Sequence, residues 1–177
     1  MIRKNAEVHM KNIVFIGMPA VGKSTVGVVV AKRLGYEFID TDLLIQKQEQ
    51  RLLREIIEQE GIDNFLKIEN QVNRDIEVEH AVISPGGSVV YCEEAMRHFK
   101  ENGIIVYLQV SFDTINSRLK NAKKRGVTPR NGQTLKDLYD ERISLFEKYA
   151  DITVSEEGLE LEETIEKVLD ELESMEK

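Results

Sequence analysis

The stretch GMPAVGKST, Gly17 to Thr25, has the spacing G-x-x-x-x-G-K-[ST], filled by Gly17, Gly22, Lys23 and Ser24. Residues of these types at this spacing build a phosphate cradle. Glycines let backbone N–H groups turn inward, a helix N-terminus adds its positive dipole end, and a lysine reaches the outer phosphates. The serine hydroxyl can sit on Mg²⁺, whose other ligands are phosphate oxygens and waters. Gly17, Ala20, Val21, Gly22, Lys23, Ser24 and Thr25 are the candidate contacts to a nucleoside triphosphate.

A second cluster, Asp40-Thr41-Asp42, follows an apolar run that reads as a strand. Open α/β sheets bind ligands at the carboxyl ends of their strands, which puts this pair beside the P-loop. The bland alternative is that Thr41 or Asp42 caps the next helix. Arg142 poses a third question, because its neighbours three and four residues away are Leu138, Tyr139, Leu145 and Phe146. No carboxylate on that helical face can satisfy it, and an inward guanidinium needs an anion. That anion is either a bound ligand or Glu69, which itself sits among Phe65, Leu66 and Val72.

P-loops serve switches, motors and kinases, so further residues must decide. The guanine-reading N-K-x-D pattern is absent, and 177 residues are too few for a helicase or transporter motor. From about Asn12 to Val154 the chain resembles the shikimate kinase family, through GMPAVGKSTVG, FIDTD, DNFLKIE, SPGGS, NSRL and ERISLFEKYAD. The resemblance implies an ATP- and Mg²⁺-dependent kinase acting on a hydroxyl of a small anionic metabolite, with shikimate the first candidate. It implies that Ser24 and Asp40 serve the metal, Asp40 through water, while Asp42 orients the acceptor hydroxyl for in-line attack. It also implies that Arg142 binds the substrate carboxylate, that Gly86, Gly87 and Ser88 approach the acceptor, and that Arg118 packs on adenine.

Three positions depart from the family pattern. Where the family presents Phe-Arg, this chain has Phe65-Leu66; losing one charge-assisted contact typically costs about 1.5–3 kcal/mol, or roughly ten- to a hundredfold in affinity. Lys67 cannot replace it, because one residue along a helix turns the side chain by about 100°. The triple glycine becomes Gly86-Gly87-Ser88, and the lid Arg-Pro becomes Thr128-Pro129-Arg130, leaving Arg130 or Arg125 to close on the transferred phosphate. These departures keep two alternatives open: a kinase of another hydroxylated acid or polyol, and a nucleotide-binding relative without catalysis.

The bulk numbers fit an ordinary globular chain, 41% hydrophobic and 32% charged, with no run long enough to span a membrane. A formal charge of −8 repels polyanions, so nucleic acid is not an expected partner. Cys92 is alone and His9, His80 and His98 lack ligand spacing, which leaves no thiolate or imidazole metal site. A single cytosolic, monomeric domain is expected, with residues 1–11 as an N-terminal extension.

Short β-branched runs predict strands at Asn12–Ile16, Tyr36–Ile39, Ala81–Ser84, Ile104–Val110 and Ile152–Val154. Helical patterns fill Val21–Leu34, Leu43–Glu79 with a break at Gly61, Glu93–Glu101 ended by Gly103, Phe112–Lys120, a Thr134-capped stretch to Tyr149, and an acidic tail through Ile165 and Leu172. Asn121–Gln133 has no apolar period and reads as a mobile lid. The alternation argues for a three-layer α/β fold, a five-stranded parallel sheet with helices on both faces.

Overall fold

The computed structural model describes residues 11–121 and 132–175. Its centre is β1 (Asn12–Ile16), all five residues of which are buried. Successive side chains of a strand point to opposite faces, so this pattern requires a layer on each face of the sheet. Around β1 the order is β2-β3-β1-β4-β5, with β2 Glu37–Asp40, β3 Ala81–Ser84, β4 Gly103–Gln109 and β5 Ile152–Ser155, every pairing parallel. Five parallel strands bring their carboxyl ends to one edge. There the P-loop leaves β1, and Asp40 of β2 pairs in register with Ser84 of β3.

Helix α1 (Lys23–Leu34) packs on β2 and β3 and also touches α8 (Leu161–Met175), which lies on β5. Its close approach to the sheet depends on Gly27, where a Cβ would come within 2.8 Å of the Phe38 ring. Helices α5 (Glu93–Asn102) and α7 (Leu135–Tyr149) both pack on β4, and α7 begins with the expected cap. Thr134 Oγ1 accepts from the Asp137 N–H while Asp137 Oδ2 accepts from the Thr134 N–H, a reciprocal capping box.

The predicted helical region from Leu43 to Glu79 is three helices, α2 (Thr41–Glu49), α3 (Leu53–Glu60) and α4 (Ile62–Arg74). The break at Gly61, φ +79°, is where it was expected; the break at Gln50, φ +53°, was not. These helices enclose a small apolar cluster of their own, Ile45, Ile56, Phe65 and Val72, distinct from the main core around the sheet. Gly103 ends α5 as predicted and has a second role. It is the first residue of β4 in extended conformation, and a Cβ there would lie 2.9 Å from the Asn12 carbonyl oxygen. Close strand packing, not a left-handed helix end, requires the glycine. Helix α6 (Phe112–Asn121) precedes residues 122–131, so most of the expected lid lies outside the described residues.

Candidate active site

The P-loop turns on three positive-φ residues, Gly17 at +149°, Ala20 at +64° and Gly22 at +114°. At Gly17 a Cβ would also meet the Leu108 carbonyl oxygen at 2.7 Å, so conformation and space both demand glycine. Gly22 is the N-cap of α1 and no side chain caps that helix, whose first amides point toward the loop. Lys23 is buried, its Nζ donating to the Gly17 carbonyl at 3.0 Å and the Met18 carbonyl at 3.1 Å. Burial lowers its pKa to about 8, Asp42 opposing that shift and Arg142 adding to it.

The loop is braced from outside. Arg118 Nη1 donates to the Val21 carbonyl at 2.9 Å and lies 3.4 Å from Glu156 Oε2, a carboxylate buried beneath the P-loop. Glu156 stands in no motif; it follows β5 in an acidic segment and meets Arg118 only through the fold.

Ser24 Oγ donates to Asp40 Oδ2 at 3.0 Å and is 3.3 Å from the hydroxyl of Ser84. The other Asp40 oxygen accepts from the backbone N–H groups of Asp42 and Leu43, so Asp40, not Thr41 or Asp42, caps α2. This frees Asp42, in the first turn, to face the cleft. Ser24, Asp40 and Ser84 form a compact set of hard oxygen atoms next to the phosphate loop, the donor chemistry that suits Mg²⁺ held mainly by phosphates and water. Ser84 opens the SPGGS stretch, and its in-register pairing with Asp40 is what brings it here.

Gly86 and Gly87 are wedged between charged side chains. A Cβ on Gly86 would fall 2.7 Å from Glu69 Oε1 and 3.0 Å from Asp42 Oδ1; one on Gly87 would meet Pro19 at 2.8 Å and Arg142 Nη1 at 3.2 Å. Burial pushes the Asp42 carboxyl up to about 6, with repulsion from Asp40 adding to it and Lys23 opposing it. Burial likewise raises Glu69 to about 7, Ser88 opposing and Asp42 reinforcing the shift.

The two readings of Arg142 separate clearly. Arg142 and Glu69 are both buried, yet no ion pair joins them: Ser88 Oγ donates to Glu69 Oε2 at 2.6 Å, while Glu69 Oε1 and Arg142 Nε have no hydrogen-bond partner. The guanidinium lies 5.4 Å over the Tyr91 ring. A cleft of about 520 Å³ runs from Ala20 and Lys23 through Asp42 and Gly86 to Arg142. Its far wall is apolar, from Leu53, Ile57, Ile62 and Phe65. Gly22, Ser24, Thr25, Gly87 and Ser88 also line it; Gly17, Val21, Asp40 and Arg118 are not among its lining residues. Leu66 borders a smaller adjoining cleft with Ser88 and Tyr91. Arg130, with Lys123, Lys124 and Arg125, lies outside the described residues.

A family model described as shikimate kinase matches residues 19–173. The chain belongs to the shikimate kinase family. It is 37% identical over 169 residues to a shikimate kinase of Thermodesulfovibrio yellowstonii, covering 94% of this chain and 97% of that one. A solved shikimate kinase from Acinetobacter baumannii in complex with shikimate superposes with a TM-score of 0.85 at 28% identity, covering 93% and 94% of the two chains. The Aquifex aeolicus shikimate kinase structure gives a TM-score of 0.80 at 35% identity, covering 92% and 96%. A gluconokinase from Sinorhizobium meliloti, at 18% identity and a TM-score of 0.64 over 94% of each chain, shares the fold. Membership in the shikimate kinase family makes this chain an ATP-dependent small-molecule kinase with an α/β P-loop fold. Among the described residues no helix is long and apolar enough to cross a membrane.

Proposed function

We propose that this chain transfers the γ-phosphate of ATP, with Mg²⁺, to a hydroxyl of shikimate. The observation that carries the reading is the single cleft in which Lys23, Asp42 and Arg142 converge around Gly86 and Gly87. Phosphoryl transfer asks a protein to position reactants and to stabilise charge. Lys23 and the loop amides do the second. Asp42 accepts the hydroxyl proton as the acceptor oxygen forms its bond to phosphorus and the bond to the leaving ADP oxygen breaks. Arg142, with an unpartnered buried Nε, holds the acceptor carboxylate. Ser24 and Asp40 would hold the metal, which supplies charge neutralisation on the phosphates.

A second reading, another hydroxylated acid as acceptor, is favoured by Leu66, which puts no charge where the family pattern has arginine. One assay tests both: steady-state ADP release by the purified protein with ATP and Mg²⁺, with and without shikimate to well above millimolar. Strong stimulation that Asp42→Asn abolishes is expected. Absence of stimulation by shikimate, with stimulation by another hydroxy acid, transfers the function to that acceptor.

A further inference from the structure

Two arginines line the cleft, Arg142 and Arg54, and only the first has been used. Arg54 lies in the first turn of α3, beside the apolar wall made by Leu53 and Ile57. Acids surround it in sequence without pairing to it: Glu55 turns back to accept from the Leu52 N–H at 2.8 Å, and Glu58, one helical turn on, makes no ion pair with it. Its neighbour Arg51 is fully engaged, bonding Glu49 at the end of α2 and Gln59 and Glu60 at the end of α3. That clamp holds the turn carrying Arg54 against α2 while leaving the Arg54 guanidinium without a hydrogen bond or ion pair among the described residues.

The pattern elsewhere is different. Among the described residues Arg33, Arg74 and Arg118 are all paired with carboxylates, and Arg97 is the exception outside the cleft. Neither cleft arginine has an ion pair among the described residues, although the chain carries a net charge of −8. Lys67, a cation on the adjoining helix α4, is bonded to Asn64. An anionic ligand seated on the apolar wall and held at one end by Arg142 therefore has one further guanidinium within the same cleft.

We infer that Arg54 is a specificity-determining residue that closes on the carboxylate of the acceptor as the second guanidinium beside Arg142. An exposed arginine on a fixed helical turn adds charge to the site while its long stem covers the ring-binding wall. The inference rests on the proposed shikimate reading, and its test separates the two.

The test compares wild type, Arg54→Ala and Arg54→Lys by steady-state kinetics with ATP and either shikimate or its uncharged methyl ester. Because Arg54 is exposed, thermal melting of the variants should match wild type. For Arg54→Ala the KM for shikimate is expected to rise about ten- to a hundredfold, with kcat and the KM for ATP within about twofold. Arg54→Lys should fall between, and the ester should show no difference between wild type and Arg54→Ala. A KM for shikimate that stays within twofold in Arg54→Ala, or that rises equally for the ester, overturns the role of Arg54 and leaves the shikimate reading intact. Wild type that fails to phosphorylate shikimate overturns that reading and this inference with it.

Discussion

Ser88 and Glu69 are joined by a 2.6 Å hydrogen bond in which the hydroxyl donates to Oε2, deep in the wall of the cleft. The serine that replaces the third glycine of the family pattern is thus turned toward a buried carboxylate. Ser88→Ala should remove the principal donor on that oxygen, since Cys92 Sγ is 4.0 Å away. Stability at pH 8, where Glu69 is charged, should fall by about 1–3 kcal/mol, and by less at pH 5. Urea melts at the two pH values read the difference; equal losses would show that the bond does not depend on the charge of Glu69.

The pH dependence of folding follows from Glu69 itself. Its native pKa of about 7 lies above the roughly 4.3 of an unfolded glutamate, so the native state binds the proton more tightly between those values. Stability contributed by the protonated group is therefore complete below about pH 4 and is lost as pH rises through 7. Glu69→Gln should raise stability at pH 8 by on the order of 1–3 kcal/mol and flatten its pH dependence. An unchanged slope of Tm against pH between 5 and 8 would count against this.

Catalysis should follow a bell. Asp42 must be ionised to take the hydroxyl proton and Lys23 protonated to hold phosphate, so kcat/KM should fall below about pH 6 and above about pH 8. The Asp42 carboxylate helps to raise Glu69, which therefore loses its proton after Asp42 has done so. Glu69→Gln should leave the acid limb near pH 6, because Glu69, with its pKa of about 7, is mostly protonated where Asp42 titrates. A profile flat from pH 5 to 9 would remove both groups from the chemistry.

At Gly86 the constraint is space. Gly86→Ala places a methyl group 2.7 Å from Glu69 Oε1 and 3.0 Å from Asp42 Oδ1. Both carboxylates must shift, and a displacement of that order costs about a hundredfold in kcat/KM. Wild-type turnover in this variant would mean that Asp42 does not orient the acceptor.

Lys23→Ala should abolish transfer and weaken ATP binding. Surviving turnover in acceptor-dependent ADP release would sink the assignment of the P-loop lysine.

Contiguous features were legible in the sequence. The phosphate loop is a single stretch whose glycines, lysine and serine each have a local reason, and the five strands are short β-branched runs. What escaped depends on contacts across the chain. Asp40 rather than Asp42 caps α2 because its oxygens meet the Asp42 and Leu43 amides, a choice of one residue that no propensity separates. The strand order β2-β3-β1-β4-β5 brings Ser84 and Glu156 to the loop from β3 and from beyond β5; Ser84 opens the SPGGS stretch and Glu156 lies in no motif, and local sequence gives neither a role at the phosphates. Gly103 does stop α5, but a Cβ there would crowd both the Asn12 carbonyl of the strand alongside and the Phe99 carbonyl of the helix before it, a second reason for glycine that only the fold supplies.

The small cluster of Ile45, Ile56, Phe65 and Val72 keeps the apolar contacts of α2, α3 and α4 largely among themselves, apart from Leu66, which packs on the main core. Residues 41–74 thus form a cassette with a small core of its own, joined to the rest of the molecule chiefly where α4 packs on α5. Drift in that cassette can retune which acceptor is chosen while the nucleotide half, built into the sheet, keeps its geometry, and amide exchange should find the cassette opening more readily than β1.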